Sequence, residues 1–284
     1  NKMKRKYIFS LILIVGMIAG MTQTQSLLIY DNPLQFGGNK IAFDISHGGY
    51  HTTEADLAPI IGNLTAAGNE VIYINDTWGI TDDIDAIFFT QPDDNYTVAE
   101  LADIVAWFEL GDKFMWVSGD SDYGGFFNPW AGNGILDAIG SIARLDGTSI
   151  EDPENSDGSA YRAAATEVGY GDPLYDVMAE TLAGDADTGL TIPAGVIFHG
   201  PCAIVAYDGT YYKDLRYGNS VFPERVNVIL TYSEDAISLD SDVSDGWGAN
   251  NTAGEYSIDL YANVTGDIFD TGLYPALVHE KFGE

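Results

Sequence analysis

The 284-residue sequence is short of cysteine, of positive charge and of long apolar runs. Its single cysteine, Cys202, excludes a disulfide within the chain. The apolar neighbours Ala203, Ile204 and Val205 favour a buried structural thiol over a nucleophile. Only twelve residues are Lys or Arg, against 43 Asp or Glu, for a net charge of −31. Four of the twelve are Lys2, Lys4, Arg5 and Lys6, which leaves eight for everything that follows. Such a surface repels nucleic acid and anionic lipid and excludes both as partners. It suits high salt, divalent cations or plain extracellular solubility, and composition does not rank the three.

The uncharged stretch at residues 7–20 falls short of the roughly 18 to 20 apolar residues that span a bilayer before Thr22-Gln23-Thr24-Gln25-Ser26 interrupts it. Preceded by the basic cluster, it has the layout of a secretory signal peptide. The competing reading is a retained anchor. Residues 1–26 are therefore expected to be a leader, residues 27–39 a linker, and the protein extracellular or on the cell surface. On this reading it meets a membrane only through an uncleaved leader. Five N-x-T sequons, at Asn63, Asn75, Asn95, Asn250 and Asn263, are candidate glycan acceptors in a secreted chain.

What is present is a chain rich enough in apolar residues, 46% with five Trp, 17 Tyr and 13 Phe, to bury a core. Residues 40–45 (KIAFDI), 71–74 (VIYI), 86–89 (AIFF) and 113–118 (KFMWVS) read as buried strands. Between them, Leu57, Ile60, Ile61 and Leu64, and later Leu101, Ile104, Val105 and Phe108, repeat at helical spacing. Pro59 is tolerable only in a first turn, which sets the first helix start near Asp56, and Gly68 ends that helix. Thr97 with Glu100 forms a capping box. Asn133 is expected to cap a short helix closed by Gly140. This alternation specifies a parallel sheet covered on both faces, with binding sites at the carboxyl ends of the strands. Residues 147–195 break into acidic loops around one helix beginning at Asp172 and Pro173. Residues 196–198 resume strand character. Residues 205–212 read as a β-hairpin about an Asp208-Gly209 turn, and residues 226–230 and 274–278 are later strands.

The segments IAFDISHGG, AIFFTQPDDNYTVAELADIVAWFELG, KFMWVSGDS and NGILDAIG, across roughly residues 40–146, resemble the class I glutamine-amidotransferase-like superfamily. The likeness is to its branch without amidotransferase chemistry, which holds trehalose-utilisation-like domains and the amino-terminal domain of an intraflagellar transport protein. The resemblance implies a flavodoxin-like three-layer α/β sandwich over residues 40–284, here with the acidic insertion and the hairpin. Because that fold continues into a further strand and helix, the chain is expected to be incomplete at its carboxyl end, leaving residues 274–278 on an exposed sheet edge. Glutaminase members carry a Cys at a turn after a strand and a His-x-Glu pair. Here the turn reads Gly119-Asp120-Ser121-Asp122, and His279 and Glu280 are adjacent, so the fold carries over and glutaminase activity does not.

Four constellations could carry chemistry. Asp44, His47 and His51, followed by Glu54, have the residue types that bind zinc or a similar ion. The plainer reading is that Asp44 and His47 order a loop. Asp120 and Ser121 sit where a nucleophile elbow would be, with His199 as the available base, but Tyr123 stands where that pattern needs glycine. Residues 240–246 approach a calcium loop without its bidentate Glu, and Asp185 with Asp187 is a weaker version. Tyr123, Phe126, Phe127 and Trp130 could form a ligand platform or simply pack. The edge formed by the strand ends should gather Asp44, His47, Gln91, Asp93, Asp120 and Ser121, joined by His199 if its strand runs parallel. The reading is an exported acidic binding or surface-assembly domain, with an extracellular ligand or surface protein as partner and at most a divalent cation, zinc or calcium, as cofactor. The alternative is a metal-dependent or serine-based hydrolase.

Overall fold

The computed structural model describes residues 8–13, 38–49, 52–75, 78–121, 129–146, 148–165, 167–168, 196–207, 212–213, 215, 226–239 and 273–282. In chain order these form β1 (Ile8–Leu13), β2 (Lys40–Asp44), α1 (Glu54–Ala66), β3 (Glu70–Ile74), β4 (Ala86–Phe89), α2 (Val98–Glu109), β5 (Phe114–Val117) and α3 (Trp130–Ala138). There follow β6 (Ala143–Leu145), β7 (Ser149–Glu151), β8 (Ala164–Ala165), β9 (Glu167–Val168), β10 (Val196–Ile197), β11 (Ile204–Tyr207) and β12 (Tyr212–Lys213). The last are β13 (Val226–Thr231), β14 (Ile237–Leu239) and β15 (Pro275–Phe282).

The main sheet runs β3-β2-β4-β5-β1-β15-β13-β9. Its first four strands are parallel, in register from Ile41↔Val71 through Phe89↔Val117. Strand alternation sends Ile41 and Phe43 toward Leu57, Ile61 and Leu64 of α1. Ala42, Ile87, Phe89, Met115 and Val117 point the other way, toward Ile104, Trp107 and Phe108 of α2 and Ile135 and Leu136 of α3. This α/β/α arrangement is a flavodoxin-like three-layer fold, its parallel strands covered on both faces as the strand and helix periodicities imply.

Beyond β5 the uniform direction fails. β15 pairs antiparallel with β13, and β13 with β9. β15 is also hydrogen-bonded on its other flank to β1, so the exposed edge expected at residues 274–278 is not found. β1 itself is drawn from residues that read as leader, and it pairs parallel with β5 as well. The strand expected at residues 196–198 is β10, which leaves the main sheet to pair with β8. Smaller pairings join β11 to β6 and β12, and β14 to β7. Within the insertion, β7, β8 and β9 are described; the helix expected from Asp172 lies outside the described residues.

Three local expectations are also corrected. α1 starts at Glu54, because Thr53 and Asp56 form a reciprocal capping box upstream of the expected start; Pro59 therefore lies inside the helix, where it forgoes one backbone bond. Asn133 caps nothing. It sits within α3, its amide donating to Leu145 O (2.7 Å) and accepting from Leu145 N (2.9 Å), so that it ties the helix to β6. The hairpin register pairs Tyr207 with Tyr212, two residues beyond the Thr210 partner that an Asp208-Gly209 turn would give, and residues 208–211 lie outside the described residues.

Several interior charged groups have clear hydrogen-bond partners. Lys113 donates to Asp82 O and Ile84 O (2.7 and 2.6 Å). Arg144 donates to Ser141 O and Ala143 O, each at 2.7 Å, and pairs with Asp137. Cys202 is fully buried, as its neighbours foretell. Glu280, also fully buried, accepts from Ser141 Oγ (2.5 Å), Ile142 N (3.0 Å) and Ala143 N (3.3 Å), and so fastens β15 to the turn between α3 and β6. Glu280→Ala would leave those donors without an acceptor. It is expected to destabilise the protein by roughly 3 kcal/mol or more, read as a lower urea midpoint at unchanged slope.

Candidate functional site

The ends of β2, β4 and β5 open on one edge, and two short loops interlock there. The first begins at Asp44, whose Oδ1 accepts from Ser46 N (2.9 Å) and Ser46 Oγ (2.6 Å). Its Oδ2 faces His47 Nδ1 at 2.9 Å and accepts from Tyr96 OH at 2.5 Å. On the far side of the ring, His47 Nε2 lies 3.5 Å from Glu100 Oε2. Tyr96 stacks on the imidazole (3.7 Å between centroids) and Trp78 meets it edge-on at 5.3 Å.

Burial alone would raise the Asp44 pKa, but its bonds from His47, Ser46 and Tyr96 outweigh burial and hold it below the ordinary value. For His47, burial would lower the pKa, and the flanking carboxylates Asp44 and Glu100 raise it on balance. The two carboxylates thus favour the charged form of His47 and engage both of the ring nitrogens a metal would need. Among the described residues no group of three or more His, Cys, Asp and Glu is arranged to hold a metal, and His51 lies outside them. The geometry favours the plainer reading of Asp44 and His47 as loop-ordering groups.

The second loop follows β4. His47 O accepts from both Asp93 N and Asp94 N (2.9 Å each), which locks the two loops together. Gln91 adopts a left-handed φ of 46°, strained for a side chain of its size. Its carbonyl lies so close to Gly49 (φ 112°) that a Cβ there would stand 2.5 Å from Gln91 O; only glycine fits.

Asp120, beyond β5, completes the edge. It is buried and accepts from Gln91 Nε2 (3.2 Å) and Ser121 N (2.7 Å). Burial drives its pKa up; the Ser121 N–H opposes this and the charge of Asp93 adds to it, leaving a value of about 7. Ser121 N donates to Gly200 O (2.8 Å), so the segment carrying His199 does reach this edge although β10 is not in the main sheet. Gly200 packs over Asp120: a Cβ there would stand 2.7 Å from Oδ1. The ring of His199 rests edge-on against Tyr161 at 5.2 Å.

Thus Asp44, His47, Gln91, Asp93, Asp120 and Ser121 gather as their strand ends require. Tyr123, Phe126, Phe127, Asp185, Asp187 and residues 240–246 lie outside the described residues, and Trp130 opens α3. The sequence reading missed Tyr96, Trp78 and the second role of Glu100. Glu100 is legible as a capping residue, and only the fold shows that this same carboxylate faces His47.

No known protein family matches this sequence, and no curated protein does. Among solved structures, one described as the mmIFT52 N-terminal domain is similar at 9% identity, covering 71% of this chain and 79% of that one with a TM-score of 0.46. At that distance nothing about activity or partners passes to this chain.

Two pH dependences follow from the edge. Asp120 holds its proton more tightly folded, near 7, than unfolded, near 3.8, so stability falls as pH climbs through that interval and stays low above it. The ionised carboxylate costs on the order of 4 kcal/mol. Asp120→Asn should raise the midpoint of thermal unfolding at pH 8 and change it little at pH 4. His47 works over a higher window: its stabilisation is complete below about 6.5 and is lost as pH rises through its elevated folded pKa. His47→Gln should remove that upper decline, seen as a flatter plot of unfolding free energy between pH 6 and 9.

Proposed function

We propose that this chain is an exported, non-enzymatic domain of the amidotransferase-like superfamily's inactive branch. It uses the carboxyl edge of its parallel sheet to bind an extracellular ligand or surface protein. What supports the reading above all is the state of His47. An imidazole with one nitrogen on Asp44, the other facing Glu100 and its ring stacked on Tyr96 is built for rigidity and is ill placed to shuttle protons. Rigid, preorganised loops lower the entropic cost of binding. The acidic composition and the leader motif supply the extracellular setting. Of the sequons within the described residues, Asn75 and Asn95 are exposed while Asn63 is half-buried in α1, so the first two are the better glycan acceptors.

The contact between Ser121 and Gly200 is the one observation that favours the alternative, a serine-based hydrolase using Asp120, Ser121 and His199. A panel of chromogenic esters and peptides, assayed with and without chelator, separates the two. No turnover is expected, and turnover abolished by Ser121→Ala would overturn the binding reading. Export is checked separately, by mass spectrometry of the native product: its amino terminus should fall between Thr22 and Leu28 in material recovered outside the cell. Zinc or calcium should leave the unfolding temperature unchanged, and stabilisation that Asp44→Ala removes would restore a metal at this edge.

A further inference from the structure

The same six residues carry two assignments. Ile8–Leu13 belong to the uncharged run read as an export leader, and they also form β1, inside the sheet between β5 and β15. The pairing is extensive: six consecutive partners on β15, from Ile8↔Phe282 to Leu13↔Leu277, and Leu11↔Trp116 with Ile12↔Val117 on β5. Both flanking strands are internal. Met115 and Val117 of β5 and Ala276 to Val278 of β15 are buried, and β5 and β15 have β4 and β13 on their other sides.

Removing the strand between them would turn two interior ladders into edges. Each would present unpaired N–H and C=O groups beside apolar side chains, a costly state that a sheet resolves by taking up another strand. An uncharged, proline-free segment such as IFSLIL is what a strand flanked on both sides calls for. It is equally what the apolar core of a leader calls for.

We propose that β5 and β15 form a strand-acceptor site whose occupant is the chain's own leader, Ile8–Leu13, so that completing the sheet and exporting the chain compete for the same residues. The site binds an extended apolar peptide, antiparallel to β15 and parallel to β5, through backbone hydrogen bonds. A chain that folds before translocation pairs its leader into the sheet and is withheld from export; only a chain kept unfolded presents it. The inference rests on the leader reading, but it is tested apart from it.

The test uses the full chain. Hydrogen exchange on the folded, uncleaved chain should show the amides of Ile8–Leu13 slowed at least about a hundredfold relative to the same residues in a free peptide. A protease site placed within residues 22–26 then allows the leader to be cut from the folded protein. The severed fragment should remain bound through gel filtration and come away only on unfolding, whereas in a Leu11→Pro chain it should separate at once. Unprotected amides, or a severed fragment that leaves without lowering the unfolding temperature, would overturn the proposal, because the sheet would then close without the leader. Neither result depends on where the native product is found. A leader retained inside the cell would sink the export reading and the competition with it, and leave the strand-acceptor site standing.

Discussion

The carboxylate of Asp44 is the group on which the polar edge of this molecule depends. Buried at the end of β2, it collects the Ser46 amide and hydroxyl, the His47 ring and the Tyr96 phenol. Because His47 is held, its carbonyl stands where Asp93 and Asp94 can donate to it, and the loop after β4 takes its shape from the loop after β2. That shape carries Gln91 into its left-handed conformation and brings its amide to Asp120. A buried charge is tolerable when hydrogen bonds and an opposite charge surround it, and Asp44 has both. Asp120 has only the hydrogen bonds, and so it responds to burial by keeping its proton to higher pH.

Much of this was legible in the sequence where the governing interaction is local. Thr97 and Glu100 announced the start of α2, and the alternation in β2, β4 and β5 fixed which side chains face which helices. Reading failed where the deciding partner is remote. Asn133 looks like a helix cap because caps are short-range, yet its partner is the backbone of Leu145 across a turn. Pro59 argued for a later helix start until the Thr53 and Asp56 pair outweighed it. The edge residues could be gathered from strand ends alone, but the two carboxylates on either side of His47, Asp44 and Glu100, come from β2 and α2 with β3 and β4 between them in the sequence. An apolar, uncharged hexapeptide such as Ile8–Leu13 carries no periodicity that separates a leader from a central strand.

The chain's few cations are used sparingly. Lys113 and Arg144 each give two hydrogen bonds to main-chain carbonyls near the bottom of the fold, and Lys113 also lies over the Trp107 ring. These bonds finish turns, a task of hydrogen-bond geometry more than of charge neutralisation. The carboxylates at the opposite edge are accordingly met by the His47 ring, amides and a phenol, with no Lys or Arg pairing to Asp44 or Asp120 among the described interactions.

The Glu280 latch gives the last strand a mechanical character. β15 is bonded along both flanks and is fixed by one carboxylate to the turn between α3 and β6, so a pull directed along it loads many bonds in shear at once. A tug across the strand would instead open the ladder one rung at a time. While β1 is in place, the direction in which tension arrives would then decide how the sheet fails, and β15 is the strand best built to carry a pull along its length.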